Sequence, residues 1–153
     1  MRALEPWVEA PLATFLAESS ARLTLLMTSA GQVVAQHGFT RAFDVMSAAA
    51  LGAAIMASTD ELARLMEVPA FHALSHQGAH YGLFLSGFDT PRGRWIGLVV
   101  FGPESSLGLV QLFFQRMVAD LVTVAPGPEP TGQVLGEDFE DELNASLRTL
   151  FGQ

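Results

Sequence analysis

Three histidines are spaced four residues apart in the segment FHALSHQGAHYGLFL, residues 71–85: His72, His76 and His80. On a helix, residues four apart lie on one face and about 6 Å apart along the axis, and many metal sites are built in this way. The chemistry to consider first is therefore metal binding. Whether it is possible depends on the secondary structure that carries the histidines.

The residues around the histidines predict a β-hairpin. A Val-Pro pair ends the preceding helix, and Gly78 lies within the histidine series, so FHALSHQ and YGLFLSG read as two strands joined by a turn. Four residues of a strand span about 13 Å, whereas zinc ligands lie about 2.1 Å from the metal. His72 and His76 therefore cannot easily share one ion. His76 and His80 could approach each other across the turn, but two ligands make a poor site. We expect solvated histidines, no metal and no cofactor.

Strand alternation also assigns the side chains of the first of these strands to two faces. It predicts Phe71 and Ala73 on one face, and His72, Leu74 and His76 on the other.

Other candidate chemistry is weak. Ser75 and His76 are strand neighbours and point to opposite faces, so they do not form a catalytic pair. No phosphate-binding loop, dinucleotide fingerprint or nucleophile elbow is present in the sequence. Arg92 and Arg94, in the loop 87–94, could act as an arginine finger on a GTPase, although a solvated loop pair is the simpler interpretation. We expect no intrinsic enzyme, with a metal-dependent enzyme as a distant alternative.

Composition excludes several other classes of protein. The chain has 153 residues, a net charge of −8 and eight basic residues, all arginine. A protein that binds nucleic acid or anionic lipid needs a basic face, so neither partner is expected. Cysteine is absent, which excludes disulfides and thiolate chemistry. The N-terminal segment has no basic-then-apolar signal layout, and the longest apolar run is too short to span a membrane. We expect a cytoplasmic protein.

The predicted secondary structure alternates hairpins with helices, an order that favours an α+β fold with an antiparallel sheet covered by helices. Pro11 is awkward within the first helix and suggests that its regular part begins there. The predicted elements are a helix over 5–19, a hairpin of strands 21–29 and 32–38, a helix over 44–66 capped by Asp44, the histidine hairpin, a strand over 95–101, a helix from Ser105 or Ser106, and a C-terminal helix.

The helix predicted over 44–66 is rich in small residues, among them Ala50, Ala53, Ala54 and Ala57. Small side chains let another backbone approach closely. The helix could therefore pack tightly on its own sheet, or on the same helix of a second copy.

The chain divides into a domain over 1–122, a proline- and glycine-rich linker over 123–136, and an acidic amphipathic helix over 137–153. The tail carries an apolar stripe that is large to leave in water and too short to be stable as an isolated helix. We expect it to dock on its own dimer or, alternatively, on a bound partner. The stripe consists of Phe139, Leu143, Leu147, Leu150 and Phe151.

The order of elements resembles the roadblock/dynein light chain superfamily. The stretches that carry the resemblance are ARLTLLMTSAGQVVAQ, the alanine-rich helix with ELARLM, and WIGLVVFGPESSLGLVQLFFQRMVADL. Within that superfamily, FHALSHQGAHYGLFL and SSLGLVQL are most similar to the bacterial mutual gliding protein B (MglB) group. The resemblance covers about residues 10–122.

The resemblance implies a roadblock-like fold with a five-stranded antiparallel sheet between helices, and a homodimer that extends this sheet. It also implies a partner, a small Ras-like GTPase of the MglA type, which acts in polarity or motility-type signalling. The dimer is expected to stimulate GTP hydrolysis by this partner without an arginine finger. The alternative is a non-catalytic roadblock-type scaffold that localises protein partners. On the first interpretation, the dimer or partner interface includes Ala50, Ala53, Ala54, Ala57, Phe71 and Ala73, and the tail residues Phe139, Leu143 and Leu147 are possible partner contacts.

Overall fold

The computed structural model describes residues 2–38, 43–127 and 143–150. A two-residue strand and a 3-10 turn (Pro6–Val8) precede the first helix, and residues 143–150 are helical. In chain order, the elements are β1 (Arg2–Ala3), α1 (Glu9–Ser19), β2 (Leu23–Thr28), β3 (Val33–Gly38), α2 (Val45–Leu65), β4 (Ala73–Gln77), β5 (Gly82–Thr90), β6 (Gly93–Phe101) and α3 (Leu107–Val124).

The strands form one antiparallel sheet in the order β1-β3-β2-β6-β5-β4. The prediction of an α+β fold with a five-stranded antiparallel sheet flanked by helices is confirmed. The short β1 adds a sixth strand at the β3 edge, where Arg2 is paired with Gln36 and Ala3 with Ala35. Strand β4, which carries His76, forms the opposite edge.

Helices cover both faces of the sheet, and strand alternation sorts the side chains between them. On β2, Leu25 and Met27 face α2, whereas Leu26 faces the side covered by α1 and α3. The same alternation on β6 directs Leu98 towards α2 and Val99 towards α1 and α3. The core therefore consists of two apolar layers, one on each side of the sheet.

Helix α2 begins where the sequence predicts, because Asp44 caps it. The Asp44 Oδ1 atom accepts a hydrogen bond from the Ser47 backbone N–H at 3.0 Å. The helix then crosses the β2–β3 turn, where Gly31 has a φ of +88°. A Cβ atom on Gly31 would lie 3.3 Å from the Ala50 Cα atom, so the turn and the helix backbone are in close contact.

The N-terminal helix lies within the predicted range 5–19, but its regular part starts two residues before Pro11. Helix α1 begins at Glu9, and Pro11 occupies its first turn, where backbone N–H groups have no partner within the helix. The preceding turn is held against the sheet by Trp7, whose ring stacks on that of Trp95 with a centroid separation of 5.5 Å.

The predicted boundaries of the C-terminal regions are only partly described. Thr123 and Val124, which the sequence assigns to the linker, are the last two residues of α3. The described residues do not include the rest of the linker from residue 128. They also do not include residues 137–142, which are acidic except for the apolar Phe139.

Candidate interaction surface

The alanines of α2 lie on two different faces of the helix. Ala53 is 8% exposed and packs in the core layer with Met27 and Leu85. Ala50, Ala54 and Ala57 are exposed. Of the predicted interface alanines, Ala53 is thus the one that packs on the sheet of its own protomer, and the other three face outward.

Large apolar side chains lie beside the exposed alanines of α2. Leu51, Leu62 and Leu65 are 64%, 55% and 79% exposed. Polar groups on this part of the helix have local partners: the Ser58 hydroxyl donates to the Ala54 carbonyl at 2.8 Å, and Arg64 pairs with Glu61. The outer face of α2 thus combines small residues, which permit close approach, with leucines that would be buried by a partner.

The segment after α2 continues this apolar surface towards the edge of the sheet. Met66, Val68 and Phe71 are exposed, and so is Ala73 at the start of β4. We name the exposed α2 residues, this connector and β4 the α2–β4 surface; its members are Ala50, Leu51, Ala54, Ala57, Leu62, Leu65, Met66, Val68, Phe71 and residues 73–77.

Strand β4 presents unpaired backbone groups at the sheet edge. The Gly78 N–H donates to the Tyr81 carbonyl at 2.8 Å, which identifies this pair as hydrogen-bonded. Hydrogen-bonded and non-hydrogen-bonded pairs alternate along an antiparallel ladder. The backbone groups of Leu74 and His76 therefore point to β5, whereas those of Ala73, Ser75 and Gln77 point outward. Within the described sheet, this edge is open to another strand.

The histidines lie on the hairpin that the sequence predicts. His76 belongs to β4, His72 immediately precedes that strand, and His80 lies in the turn before β5. The predicted facing is consistent with the register, because Leu74 packs in the α2-side layer and is paired with Leu85 of that layer. In residues 2–38, 43–127 and 143–150, no group of three or more metal-ligating side chains is close enough to hold an ion.

Both arginines considered as candidate fingers take part in ion pairs. Arg92 Nε lies 3.7 Å from a Glu5 carboxylate oxygen, and Arg94 Nη2 lies 4.0 Å from Asp60 Oδ1. The Arg94 guanidinium also lies over Gly87, where an added Cβ would be 2.8 Å from Nη2. Each side chain is thus directed at its own domain, one towards the N-terminal turn and the other towards α2.

A polar cluster at the end of the sheet opposite the β5–β6 hairpin was not predicted. Arg22 binds both carboxylate oxygens of Glu104, at 2.7 and 3.3 Å, and donates to the Tyr81 hydroxyl at 2.9 Å. The hydrogen bonds from Arg22 lower the pKa of Glu104, and Glu104 raises the pKa of Arg22. A cleft of about 320 Å³ adjoins this cluster, between the β4–β5 turn and the start of α3. No local sequence signal could have identified the cluster, because its members are far apart in the chain.

The described part of the C-terminal segment is helical and exposed. In residues 143–150, Leu143 and Leu147 are 49% and 42% exposed. These two leucines of the predicted apolar face are thus exposed in the described structure.

One described helix, α3, is long and apolar enough to cross a membrane, with a mean hydropathy of 1.4 over 18 residues. Its core-facing side chains Val110, Phe114, Met117 and Leu121 are buried in the domain. The core helix of a globular domain has the same composition.

Comparison with solved structures identifies the class of protein: the chain has a roadblock-superfamily fold. No protein-family model and no curated protein matches the sequence. A Roadblock/LC7 domain from Streptomyces avermitilis is similar in fold, with a TM-score of 0.63 and 16% identity over 78% of this chain and 95% of that one.

Within that class, the fold is close to MglB. MglB of Myxococcus xanthus has a TM-score of 0.71 and 26% identity, over 79% of this chain and 96% of that one. The gliding protein MglB of Thermus thermophilus has a TM-score of 0.67 and 28% identity, over 78% and 88%. An MglB described as having a tetrameric arrangement has a TM-score of 0.66 and 25% identity, over 82% and 97%. These similarities support a roadblock-type regulator.

Proposed function

We propose that this protein is a cytoplasmic, homodimeric GTPase-activating protein for a small Ras-like GTPase of the MglA type, in polarity or motility-type signalling. The observation that carries the proposal is the similarity to three MglB structures, which extends over at least 78% of the chain. The same fold also supports a second candidate, a non-catalytic scaffold that localises partners. The two candidates differ in whether the partner's GTP turnover changes.

The α2–β4 surface is the proposed dimer interface. In a two-fold dimer the same patch meets itself, so α2 packs on α2 and β4 pairs with β4. Ala50, Ala54 and Ala57 let the helix backbones approach, and burial of an exposed leucine such as Leu62 contributes about 1.5–3 kcal/mol. Pairing of the β4 strands satisfies the outward backbone groups and joins the two sheets into one.

Phe71 and Ala73 are proposed to be part of this interface. Both are exposed, and they lie where the connector from α2 enters the edge strand. A partner strand on β4 would cover Ala73 directly. Phe71, two residues before it in the connector, would be covered by side chains of the partner.

Stimulation is proposed to act by rearranging the GTPase's own catalytic residues. An arginine finger must extend from its protein into the partner's nucleotide site. Arg92 and Arg94 instead pair with Glu5 and Asp60, which favours a mechanism without an inserted side chain from this loop.

Nucleotide-dependent binding tests the proposed partnership. The full chain is mixed with an MglA-type GTPase loaded with either a non-hydrolysable GTP analogue or GDP, and the complexes are separated by size-exclusion chromatography with light scattering. We expect the dimer to co-elute with the analogue-bound GTPase and much less with the GDP-bound form. Equal binding of both forms, with unchanged GTP turnover, favours the scaffold. Absence of binding to either form contradicts both assignments for this partner.

The C-terminal segment is proposed to dock through Leu143 and Leu147, together with Phe139, on its own dimer. Contact with the bound GTPase is the alternative. Eighteen residues, 125–142, separate the end of α3 from the helical segment, and linkers of that length have end-to-end distances of about 20–25 Å. Hydrogen exchange separates the two: protection of residues 143–150 in the free protein supports self-docking, whereas protection that requires the GTPase assigns the segment to the partner contact.

A further inference from the structure

Two of the histidines with which the sequence analysis began lie on the edge proposed for dimerisation. Leu74 packs towards α2, and the register places His76 on the same face. His72 immediately precedes β4, and continuing the alternation by one residue places it on that face as well. Both histidines are exposed in the protomer. The His72 backbone is fixed next to β5, because its carbonyl accepts a hydrogen bond from the Ser86 hydroxyl at 3.1 Å.

A two-fold pairing of β4 with β4 has three central registers, with the axis at Leu74, Ser75 or His76, and each brings histidines of the two copies together. If the axis passes at His76, the two copies of His76 lie directly opposite each other. If the axis passes at Leu74, His72 lies directly opposite the partner's His76 in a non-hydrogen-bonded pair, where Cα atoms are about 4.5 Å apart. If the axis passes at Ser75, His76 lies opposite the partner's Leu74 and is diagonal to both histidines of the partner, at about 7–8 Å. The outward backbone groups of Ala73, Ser75 and Gln77 allow all three registers.

The charged groups near these histidines largely neutralise one another. On the α2 side, Arg94 of β6 is paired with Asp60, and Arg64 of α2 is paired with Glu61. Among the β5 residues that share the face of His76, Asp89 carries a charge and lies opposite Arg94 at the far end of the strand, and the connector after α2 contributes a further carboxylate, Glu67. Glu67 attracts a protonated imidazole in the monomer as well as in the dimer, so it does not remove the repulsion between two copies.

We propose that the β4–β4 contact is a pH-sensitive element of the regulator: protonation of His72 and His76 places like charges across the two-fold axis and dissociates the dimer. The inference rests on the proposed dimer and adds a condition under which that dimer is lost. Imidazole is the side chain that ordinarily gains its charge between about pH 7 and 5. Two symmetry-related pairs of like charges, in a partly solvated setting, weaken association by about tenfold.

The test measures the dimer dissociation constant by sedimentation equilibrium at about pH 8 and about pH 5.5. Four full-length proteins are compared: the wild type, the double variant His72→Gln/His76→Gln, and the single variants His76→Gln and His80→Gln. His80 lies in the turn and serves as the matched control. Far-ultraviolet circular dichroism at both pH values establishes that each protein is folded. The compared quantity is the ratio of the two dissociation constants within each protein.

We expect a ratio of about ten in the wild type and the His80→Gln variant, a smaller ratio in His76→Gln, and a ratio near one in the double variant. A wild-type dimer with the same dissociation constant at both pH values overturns the inference but leaves the proposed dimer intact. An undiminished ratio in the double variant also overturns it. A wild type that is monomeric at both pH values overturns the proposed dimer and, with it, this inference.

Discussion

Thr24 and His37 lie opposite each other on β2 and β3, and neither the Thr24 hydroxyl nor the His37 Nδ1 atom has a hydrogen-bond partner among the described residues. Thr24 is completely buried at the centre of the sheet. A buried polar group without a partner lowers stability by about 1–3 kcal/mol.

Replacement of Thr24 by Val is therefore expected to stabilise the protein. Valine has the same shape and no hydroxyl, so the variant loses an unsatisfied polar group and fills the same space. We expect the free energy of unfolding to rise by about 1 kcal/mol, measured by urea denaturation. The control is Thr28→Val, which removes a hydroxyl that accepts from the Gln32 N–H at 3.2 Å and should destabilise the turn. A loss of stability in Thr24→Val equal to that of the control would contradict this account of the site.

The burial of His37 predicts that the stability of the protein depends on pH. Burial lowers the pKa of His37 in the folded protein, so the unfolded chain binds a proton more readily. Stability should then be complete above the unfolded value of about 6.5 and should decline as the pH falls from there towards the lower, folded value.

The His37→Gln variant tests whether stability declines, as expected, when the pH falls. Urea denaturation at a series of pH values below about 7 should show a shallower loss of stability in the variant than in the wild type. If the wild type instead gains stability as the pH falls through this range, the burial effect is not the dominant one. Measurement at protein concentrations where the dimer stays intact separates this effect from dissociation.

Ala53 and Ala54 provide a matched pair on the two faces of α2. Ala53→Leu adds volume to a packed core layer and should destabilise the fold by about 1–3 kcal/mol. Ala54→Leu adds the same atoms to the exposed face and should leave the stability of the protomer nearly unchanged while it weakens the proposed dimer.

Two measurements on each variant separate the outcomes. Chemical denaturation, at a protein concentration where the variants are monomeric, reports the fold, and light scattering reports the association. An Ala54→Leu variant that remains as dimeric as the wild type would exclude this face of α2 from the interface. An Ala53→Leu variant with wild-type stability would contradict the placement of Ala53 in the core.

Much of the fold could be predicted because its signals are local. The Asp44 cap and the long apolar pattern predict α2 within one residue at each end, and Gly78 correctly predicts the hairpin turn. The two-residue β1 carries no such signal. Its pairing with β3 depends on contacts more than 30 positions apart in the chain.

The surface was harder to predict because its pattern is ambiguous. Alanine occurs on both faces of α2, so the sequence does not distinguish Ala53, which faces the sheet, from Ala54, which faces outward. The cluster of Arg22, Tyr81 and Glu104 joins three distant positions and follows only from the strand order.

The arginines of the β5–β6 hairpin test the proposed mode of stimulation. Arg92→Ala and Arg94→Ala remove ion pairs with Glu5 and Asp60 but no group that the proposal places in the GTPase site. Each variant should retain stimulation within about threefold of the wild type, since loss of an arginine finger typically costs about 10³-fold or more. A drop of that larger size in either variant, with the fold and the dimer intact, would show that the side chain is inserted into the GTPase.

The rate of GTP hydrolysis by a cognate MglA-type GTPase, measured by phosphate release with and without the full-length protein, tests the central claim most directly. The account predicts acceleration of at least about tenfold, equivalent to about 1.4 kcal/mol of transition-state stabilisation, that saturates as the protein binds. Loss of the acceleration is expected in a variant that cannot dimerise. A hydrolysis rate unchanged by saturating protein would contradict the proposed function.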